Sequence, residues 1–432
     1  MKKLPFILLF VIILAMAAAT IVEKFFGTQT ALTSVYHSWW FVALWGACAA
    51  IAIYDFSFRF SSRFTIYDLR SKYGKIVNCK WLNSTFLVHL ALIIILAGAF
   101  TSFLTSKRGF VHIRQGEILN YFLIENKNGE TERENLPFNV KLLMFSQTPL
   151  TAENIDGRGV ARNAPTTPQK KGDFFSYLQI DGEVCCVYLN HIYKHKGYRF
   201  YQYEFDSDEM GVTLLINRDP YGIAVTYAGY LLLLISALLL LWQKLKWRKF
   251  LYIAAPTAAV WFFISQIKPM TPVLRSPMLA AHVSVIMVSY VLLLLIAVLS
   301  AVYLFNLRFT IYDLRLNNPQ IVNRKSKIVN LNSKLYTLNS ILLYPAVFLL
   351  AIGIFIGAVW ANISWGRYWG WDSKETWALI TLLVYAVPFH KKTFPKFQNP
   401  IFLHKYLLIA FLCVLMTFLG VSFILGGMHS YL

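Results

Sequence analysis

The chain lacks a Cys-x-x-Cys pair, although its 432 residues include five cysteines. A dithiol oxidoreductase needs two such thiols, so nothing in the sequence indicates that class. A zinc site is not indicated either, because it would need three or four clustered histidines, cysteines or carboxylates. For the adjacent Cys185 and Cys186 we expect an ordinary buried or surface thiol pair.

Charged residues are also scarce. They make up 14% of the chain, hydrophobic residues make up 57%, and the mean hydropathy is +0.51. Several apolar runs reach the roughly 20 residues that cross a bilayer. We therefore predict an all-α polytopic membrane protein of about nine transmembrane helices with one small extracytoplasmic β-rich domain. The predicted spans are 4–22, 40–56, 84–104, 221–242, 250–267, 279–305, 341–360, 376–389 and 401–425.

Acidic residues are few, with 21 Asp and Glu against 41 Lys and Arg, which gives a net charge of +20. Such a charge could suggest nucleic-acid binding, but the positions of the basic residues argue for a lipid bilayer as the partner and against nucleic acid. They gather between spans on one side, as expected for cytoplasmic loops. We predict a cytoplasmic N-terminus and an extracytoplasmic C-terminus. The basic segments are 2–3, 59–80, 244–249, 308–334 and 391–405.

One octapeptide, Arg-Phe-Thr-Ile-Tyr-Asp-Leu-Arg, occurs at 63–70 and again unchanged at 308–315. Each copy leads through Leu-Asn-Ser, at 82–84 and 338–340, into another span. The pattern indicates a duplicated helix–loop–helix unit and two related halves. The alternative is a single loop sequence kept twice for anchoring at the cytoplasmic face.

The predicted domains follow the spans. Residues 1–104 form N-terminal membrane helices, and 105–219 form the external domain. Residues 220–247 form the fourth membrane helix with a cytoplasmic linker, and 248–432 form a second membrane domain. Alternating residues in the second half of the external domain predict strands at 176–180, 183–190, 198–205 and 212–216.

Four of the nine histidines form two pairs at two depths. His89 lies about 9 Å into its span from the cytoplasmic end, and His390 lies about 22 Å beyond Glu375, near the same face. His282 and His429 lie at the outer face. An ionisable residue within a span is usually functional, although capping or snorkelling is the alternative for the three at helix ends. The other five histidines are interpreted as surface or packing residues.

Neutral imidazole binds haem iron, which takes two axial ligands from opposite faces of the ring. Two histidine pairs therefore predict two haem sites, one near each side of the membrane.

A tryptophan-rich stretch at 365–377 lies between two apolar runs. Its tryptophans could form an interfacial aromatic belt. A belt needs neither interleaved glycines nor the acid Asp372, whereas glycines between aromatic rings allow close approach to a flat partner. Arg367 and Lys374 could meet carboxylates. The alternative to a belt is thus a surface for a large planar anion, formed by Trp365, Trp369, Trp371, Asp372 and Arg367.

Residues 365–381 resemble the tryptophan-rich WWD signature of haem-handling proteins of cytochrome c biogenesis, in their System II (CcsA or ResC) form. The segments around His282, His390 and His429 resemble the other histidine motifs of that family. His89 with Leu-Ala-Gly at 96–98, the run 190–203 and Arg-Asp-Pro at 218–220 resemble the partner subunit, CcsB or ResB. The chain is thus similar to a natural fusion of the two, with a ResB-like part before a CcsA-like part.

This resemblance implies cytochrome c assembly in a bacterial inner membrane. Haem b, carried without a covalent bond, would pass the inner ligands His89 and His390, reach His282 and His429 outside, and be attached through thioether bonds to a Cys-x-x-Cys-His apocytochrome c. The protein would then be a cytochrome c synthase of the haem lyase type. A thiol-reducing, thioredoxin-like partner is implied because the chain has no dithiol.

Two other functions remain open on the residues alone. A haem exporter would use the same histidines but would need no external domain. A quinone-linked redox membrane protein would keep both haems bound through four histidines within a helix bundle.

Overall fold

The computed structural model describes residues 3–54, 84–125, 130–146, 174–188, 191–244, 276–315 and 321–425. Long apolar helices form most of it, and one β domain is inserted between the helices Ser84–Thr105 and Gly222–Lys244. The predicted combination of membrane helices with a β-rich domain is therefore confirmed.

The first part of the chain begins with α1 (Leu4–Phe26), followed by the short α2 (Thr28–Ala31) and a π-helical turn at Leu32–Tyr36. The helix α3 (Trp39–Tyr54) follows at a bend of 51°. Two further helices, α4 (Ser84–Thr105) and α5 (Gly222–Lys244), flank the β domain.

The second part contains four helices. These are α6 (Pro277–Arg315), α7 (Ile321–Trp365), α8 (Ser373–Ala386) and α9 (Pro400–Leu415), which continues as a π-helix over Met416–Leu425. Two short 3-10 turns, Val387–Phe389 and Pro395–Gln398, connect α8 to α9.

Six helices in the described ranges are long and apolar enough to cross a membrane, or seven if the bent pair around α3 counts as one span. The predicted number of nine is not reached there. The predicted span 250–267 lies outside the described residues. The predicted span 376–389 coincides with α8, whose 14 residues extend only about 21 Å. This is less than the hydrocarbon core of about 30 Å.

The octapeptide repeat differs from its interpretation as a loop. Its second copy, 308–315, is the continuous end of α6, and α7 begins at Ile321. No glycine or proline interrupts the sequence between the apolar part of α6 and Pro319, so nothing there ends the helix. The first copy, 63–70, lies outside the described residues.

Glycines allow α4 and α5 to approach closely. A Cβ atom at Gly98 would lie 2.3 Å from the Thr226 hydroxyl, and one at Gly222 would lie 2.0 Å from the Ser102 hydroxyl. Small residues serve membrane helices in this way, because packing replaces the hydrophobic effect as the force between them.

The β domain is one antiparallel sheet in the order β5-β4-β3-β2-β1-β8-β7-β6. A bridge between Tyr188 and His191 links β5 to the start of β6, so the sheet curls into a barrel-like form around one apolar core. The strands are β1 (Lys107–Arg114), β2 (Ile118–Glu125), β3 (Thr131–Ser146), β4 (Phe175–Ile180), β5 (Glu183–Tyr188), β6 (Tyr193–His195), β7 (Tyr198–Phe205) and β8 (Gly211–Arg218).

Candidate functional site

His89 and His390, which we call the histidine pair, come together from opposite parts of the chain. Their ring centroids lie 6.1 Å apart and their planes cross at 88°. His89 is an exposed side chain on α4, and His390 is half-buried at the end of the turn that follows α8. Phe6 of α1 contacts the His390 ring edge-on, with centroids 5.0 Å apart.

Each ring of the histidine pair is oriented by a carbonyl oxygen four residues earlier. Nδ1 of His89 lies 2.7 Å from the Thr85 oxygen, and Nδ1 of His390 lies 3.1 Å from the Ala386 oxygen. Nδ1 therefore carries the proton, and Nε2 is the basic nitrogen in both rings. This tautomer is the one expected of a histidine that binds metal through Nε2.

The spacing suits a shared metal ion. A histidine nitrogen lies about 2 Å from its metal, so two rings on opposite sides of one ion have centroids roughly 6 Å apart. Within the described ranges, no group of three or more histidine, cysteine, aspartate or glutamate side chains could hold a metal. The arrangement fits two axial ligands of a haem better than a zinc site.

His282 lies near the start of α6, against α7. Its Nδ1 is 2.7 Å from the Gly353 oxygen, and a Cβ atom at Gly357 would lie 2.5 Å from its Cε1. The ring therefore needs a glycine at position 357. His429 lies outside the described residues, so the structure places only one member of the expected outer pair.

The tryptophan-rich stretch, which we call the signature, turns the chain from α7 into α8. Two of its residues have positive φ angles, 72° at Gly366 and 56° at Trp371. The Asp372 carboxylate caps α8 by accepting from the Lys374 amide at 2.8 Å, and the Glu375 carboxylate accepts from the Gly370 amide at 2.7 Å. Asp372 and Glu375 thus accept hydrogen bonds from backbone amides at and just before the start of α8. This role does not require a bound anion.

The tryptophan rings of the signature point in different directions. Trp371 stacks on Tyr36 with centroids 4.6 Å apart, towards the N-terminal helices. Trp369 is perpendicular to Trp371 and packs with the second membrane part. Trp365 contacts Trp360 at 4.8 Å, beside the start of α6. The signature thus connects three separate packing clusters.

The β domain is hydrogen-bonded to the signature and to the end of α7. The Asn217 amide donates to the Gly366 oxygen at 2.5 Å, and the Tyr201 hydroxyl donates to the Asn362 oxygen at 3.1 Å. The Tyr368 hydroxyl of the signature lies beside Ser102 on α4 and Thr226 on α5. Sequence reasoning did not find these contacts, because no periodic pattern signals a single polar residue that meets a backbone oxygen.

Helix α1 holds the other side of the signature. The Ser373 hydroxyl donates to Glu23 at 2.6 Å, and Nε1 of Trp377 donates to the Thr20 hydroxyl at 3.2 Å. Contacts from α1 and from the β domain, both of which precede the signature in the chain, therefore fix the position of the signature.

The adjacent cysteines are buried and unbonded, and they lie in two different packing clusters of the β domain. Burial raises the pKa of both thiols, that of Cys186 to about 12. A thiol with so high a pKa is a poor nucleophile at neutral pH, so neither cysteine has the character of a redox thiol.

Comparison with known proteins divides the chain into two parts, one similar to each of the two families that the sequence motifs resemble. Residues 83–243 match the ResB-like family, and residues 223–429 match the family described as cytochrome C assembly protein. The cytochrome c biogenesis protein CcsA of Guillardia theta is 38% identical over 173 residues, which cover 38% of this chain and 56% of that protein. The CcsA of Porphyra purpurea is 37% identical over 196 residues, covering 38% of this chain and 60% of that protein.

Protein NrfI of Wolinella succinogenes is 40% identical over 169 residues, which cover 38% of this chain and 17% of NrfI. The chain thus spans little more than half the length of the CcsA relatives. The two family matches follow one another along the chain and meet in α5. The chain is a fusion of a ResB-like part with a cytochrome c assembly part, the two components of System II cytochrome c biogenesis.

Proposed function

We propose that this protein assembles cytochrome c by moving haem from the cytoplasmic side of a bacterial inner membrane to an external site and presenting it to apocytochrome c. The observation that carries the proposal is the meeting of His89 and His390. One comes from the ResB-like part and the other from the cytochrome c assembly part, and their spacing suits two axial ligands.

The histidine pair serves as the inner site. His89 is exposed at this site, so haem b can reach it there and leave again. The N-terminus lies in the cytoplasm in this scheme, which puts the end of α1 that carries Phe6 beside the inner site.

The outer site consists of His282, His429 and the signature. Trp365, Trp369 and Trp371 supply aromatic surface, Arg367 supplies positive charge, and Asp372 fixes the turn through its cap. At this site each thiol of a Cys-x-x-Cys-His apocytochrome adds across one haem vinyl group, with the sulfur bonding to one carbon and the hydrogen to the other. The protein acts as a synthase by orienting the substrates, because the reactive groups belong to haem and apocytochrome.

The apocytochrome cysteines must be reduced before this addition. The described cysteines of this chain form no pair that could exchange a disulfide, and Cys185 and Cys186 are buried. A separate thioredoxin-like partner therefore supplies the electrons.

The attachment function is favoured over simple haem export by the position of the β domain. An exporter has no need of an external domain, whereas here Asn217 and Tyr201 bond directly to the signature region. That contact gives an apocytochrome a docking surface beside the outer site.

The test compares His89→Ala and His390→Ala with wild type and with His112→Ala, an exposed histidine of β1 whose Nε2 lies 3.0 Å from Asp206. Haem per protein is measured by acid–organic extraction, and covalent cytochrome yield is measured with a co-expressed Cys-x-x-Cys-His substrate. Both quantities should fall in the two pair variants and stay normal in His112→Ala. Normal cytochrome yield in both pair variants would refute the proposal.

A further inference from the structure

Two arginines of the β domain form a row with Asn217 on one face of the sheet. Asn217 of β8 is the cross-strand partner of Arg108 on β1 and of Arg199 on β7. Side chains of directly opposed residues project to the same face. The next residues along these strands, such as Ile216 and Phe200, belong to the apolar core on the opposite face.

This row faces the signature. Asn217, at its centre, donates to the Gly366 oxygen, and Arg367 is the next residue in the chain. The Arg367 guanidinium is folded over Gly370, where a Cβ atom would lie 2.8 Å from its Cζ. Burial, and then the nearby charge of Arg367, lower the pKa of Arg108 to about 10. Arg108 and Arg367 are therefore neighbours.

The surroundings of Arg108 carry little negative charge. The groups that favour the charged form of Arg108 are two tyrosines, Tyr201 and Tyr203, and no carboxylate is among them. The Nε atom of Arg108 is buried and has no hydrogen-bond partner among the described residues. Glu23 is an acid that interacts with Arg367. Buried cations with an unsatisfied donor are costly unless an anion joins them.

We propose that Arg108, Arg199 and Arg367 form a carboxylate-binding site at the joint between the β domain and the signature, and that this site takes the propionates of haem. The inference rests on the proposed function and extends it to the orientation of the ring. A guanidinium pairs with a carboxylate through two parallel hydrogen bonds, so arginines suit this role better than lysines.

The consequence for the reaction is geometric. In haem b the propionates occupy one edge of the ring, and the vinyl groups lie towards the opposite edge. Arginines that hold the propionate edge against the β domain turn the vinyl edge away from it. The β domain thereby determines which edge of haem is available for thioether formation.

A phospholipid headgroup is the other anion that three arginines could attract. It fits less well, because the arginine row faces the joint at Gly366 and Arg108 is partly buried there.

The first experiment uses the full-length protein purified in detergent from haem-deficient cells. Haemin and haemin dimethyl ester are titrated separately, because they share iron and vinyl groups and differ at the propionates, which are charged in haemin and neutral methyl esters in the other. Wild type should bind the diacid at least about tenfold more tightly, since hydrogen bonds between charged groups are among the stronger ones. Equal affinities would overturn the inference without any variant being needed.

The second experiment repeats both titrations with Arg108→Gln and Arg199→Gln. Both should reduce the preference for the diacid towards unity while the ester still binds. The matched control is Arg114→Gln, which removes the same charge from the far end of β1, where Arg114 pairs with Asp206 and Asp208. It should keep the wild-type preference.

Two outcomes would count against the site. If the preference is unchanged in both variants while less anionic phospholipid co-purifies, the arginines bind lipid and the inference fails. If Arg114→Gln loses the preference equally, the effect is one of net charge and the site is refuted. These failures are distinct from failure of the proposed function, in which wild type would bind neither haemin nor its ester.

Discussion

The histidine pair and the signature differ in which parts of the chain orient them. Each histidine is oriented by one carbonyl oxygen of its own turn, and Phe6 packs against one of the two rings. The signature is held by the β domain through Gly366, by α1 through Ser373, and by α4 and α5 through Tyr368.

This difference matches two different tasks. A ligand that takes up and then releases haem can be oriented by its own helical turn, whereas a site that aligns two reactants needs its groups fixed by several parts of the protein. We infer a transit site at the histidine pair and an alignment site at the signature. The predictions below test that distinction.

The largest effect is expected from the histidine pair. Because haem from the cytoplasm meets this pair first, His390→Ala should empty both sites and reduce covalent cytochrome yield at least about tenfold, as loss of a metal ligand does. Haem spectra of the purified variant measure site occupancy. Normal occupancy of the outer site in His390→Ala would contradict the inner-to-outer order.

The next largest effect is expected from Gly357→Ala. The new Cβ would lie 2.5 Å from the His282 ring, which must then move. Overpacking of this kind costs about 1–3 kcal/mol. Cytochrome yield should fall while haem at the histidine pair is retained, which is the opposite pattern to His390→Ala.

The control for Gly357→Ala is Gly46→Ala, in a helix where a Cβ would meet nothing within 4 Å. Yield and haem content should be unchanged there. If Gly357→Ala also behaves as wild type, the His282 ring does not depend on the glycine.

A smaller effect is expected at Asp372, and the kind of substitution matters. Asparagine is as good a helix N-cap as aspartate, whereas alanine costs about 1 kcal/mol. Asp372→Asn should therefore retain cytochrome yield, and Asp372→Ala should lower both the melting temperature and the yield. An equal loss of cytochrome yield in both variants would mean that the negative charge of Asp372 acts on haem and that helix capping is secondary.

The smallest effect is expected from Tyr201→Phe, which removes one hydrogen bond between the β domain and α7. A typical bond of this kind contributes about 1 kcal/mol. Amide exchange in the signature should become faster, with a modest loss of yield. Tyr203→Phe, at a neighbouring side chain that is 60% exposed, should leave exchange unaltered.

Several features were predictable from local patterns. The apolar runs identified the membrane class, and alternation of residues identified β4, β5, β7 and β8. The helical rise from Glu375 to His390 placed His390 at the depth of His89, and the two rings do lie together. In each case the prediction depends on a regular spacing of residues, which can be seen within one segment of the sequence.

Other features depended on partners distant in the sequence. The strands β1 to β3 were missed because their segment is polar, although burial in β3 alternates from Leu136 to Leu142. The N-cap at Asp372 was missed, although an Asp followed three residues later by Glu375 is typical of a helix start. Cofactor binding by Asp372 stays a prediction. The joint at Gly366 could not be predicted, since register and docking angle are set by tertiary packing.

The β domain is joined to the second membrane part by hydrogen bonds. Their acceptors in the membrane part are two backbone oxygens, those of Asn362 and Gly366. The strength of this joint therefore depends on the path of the chain there, including the positive φ of Gly366, where a Cβ atom would lie 2.9 Å from Tyr201. A cut in the segment between α5 and α6 would leave these bonds, and those from α1 to α8, in place. We expect the two fragments to remain together as a heterodimer. The covalent link between the two parts therefore ensures that they are made in equal amounts, and it contributes less to holding them together.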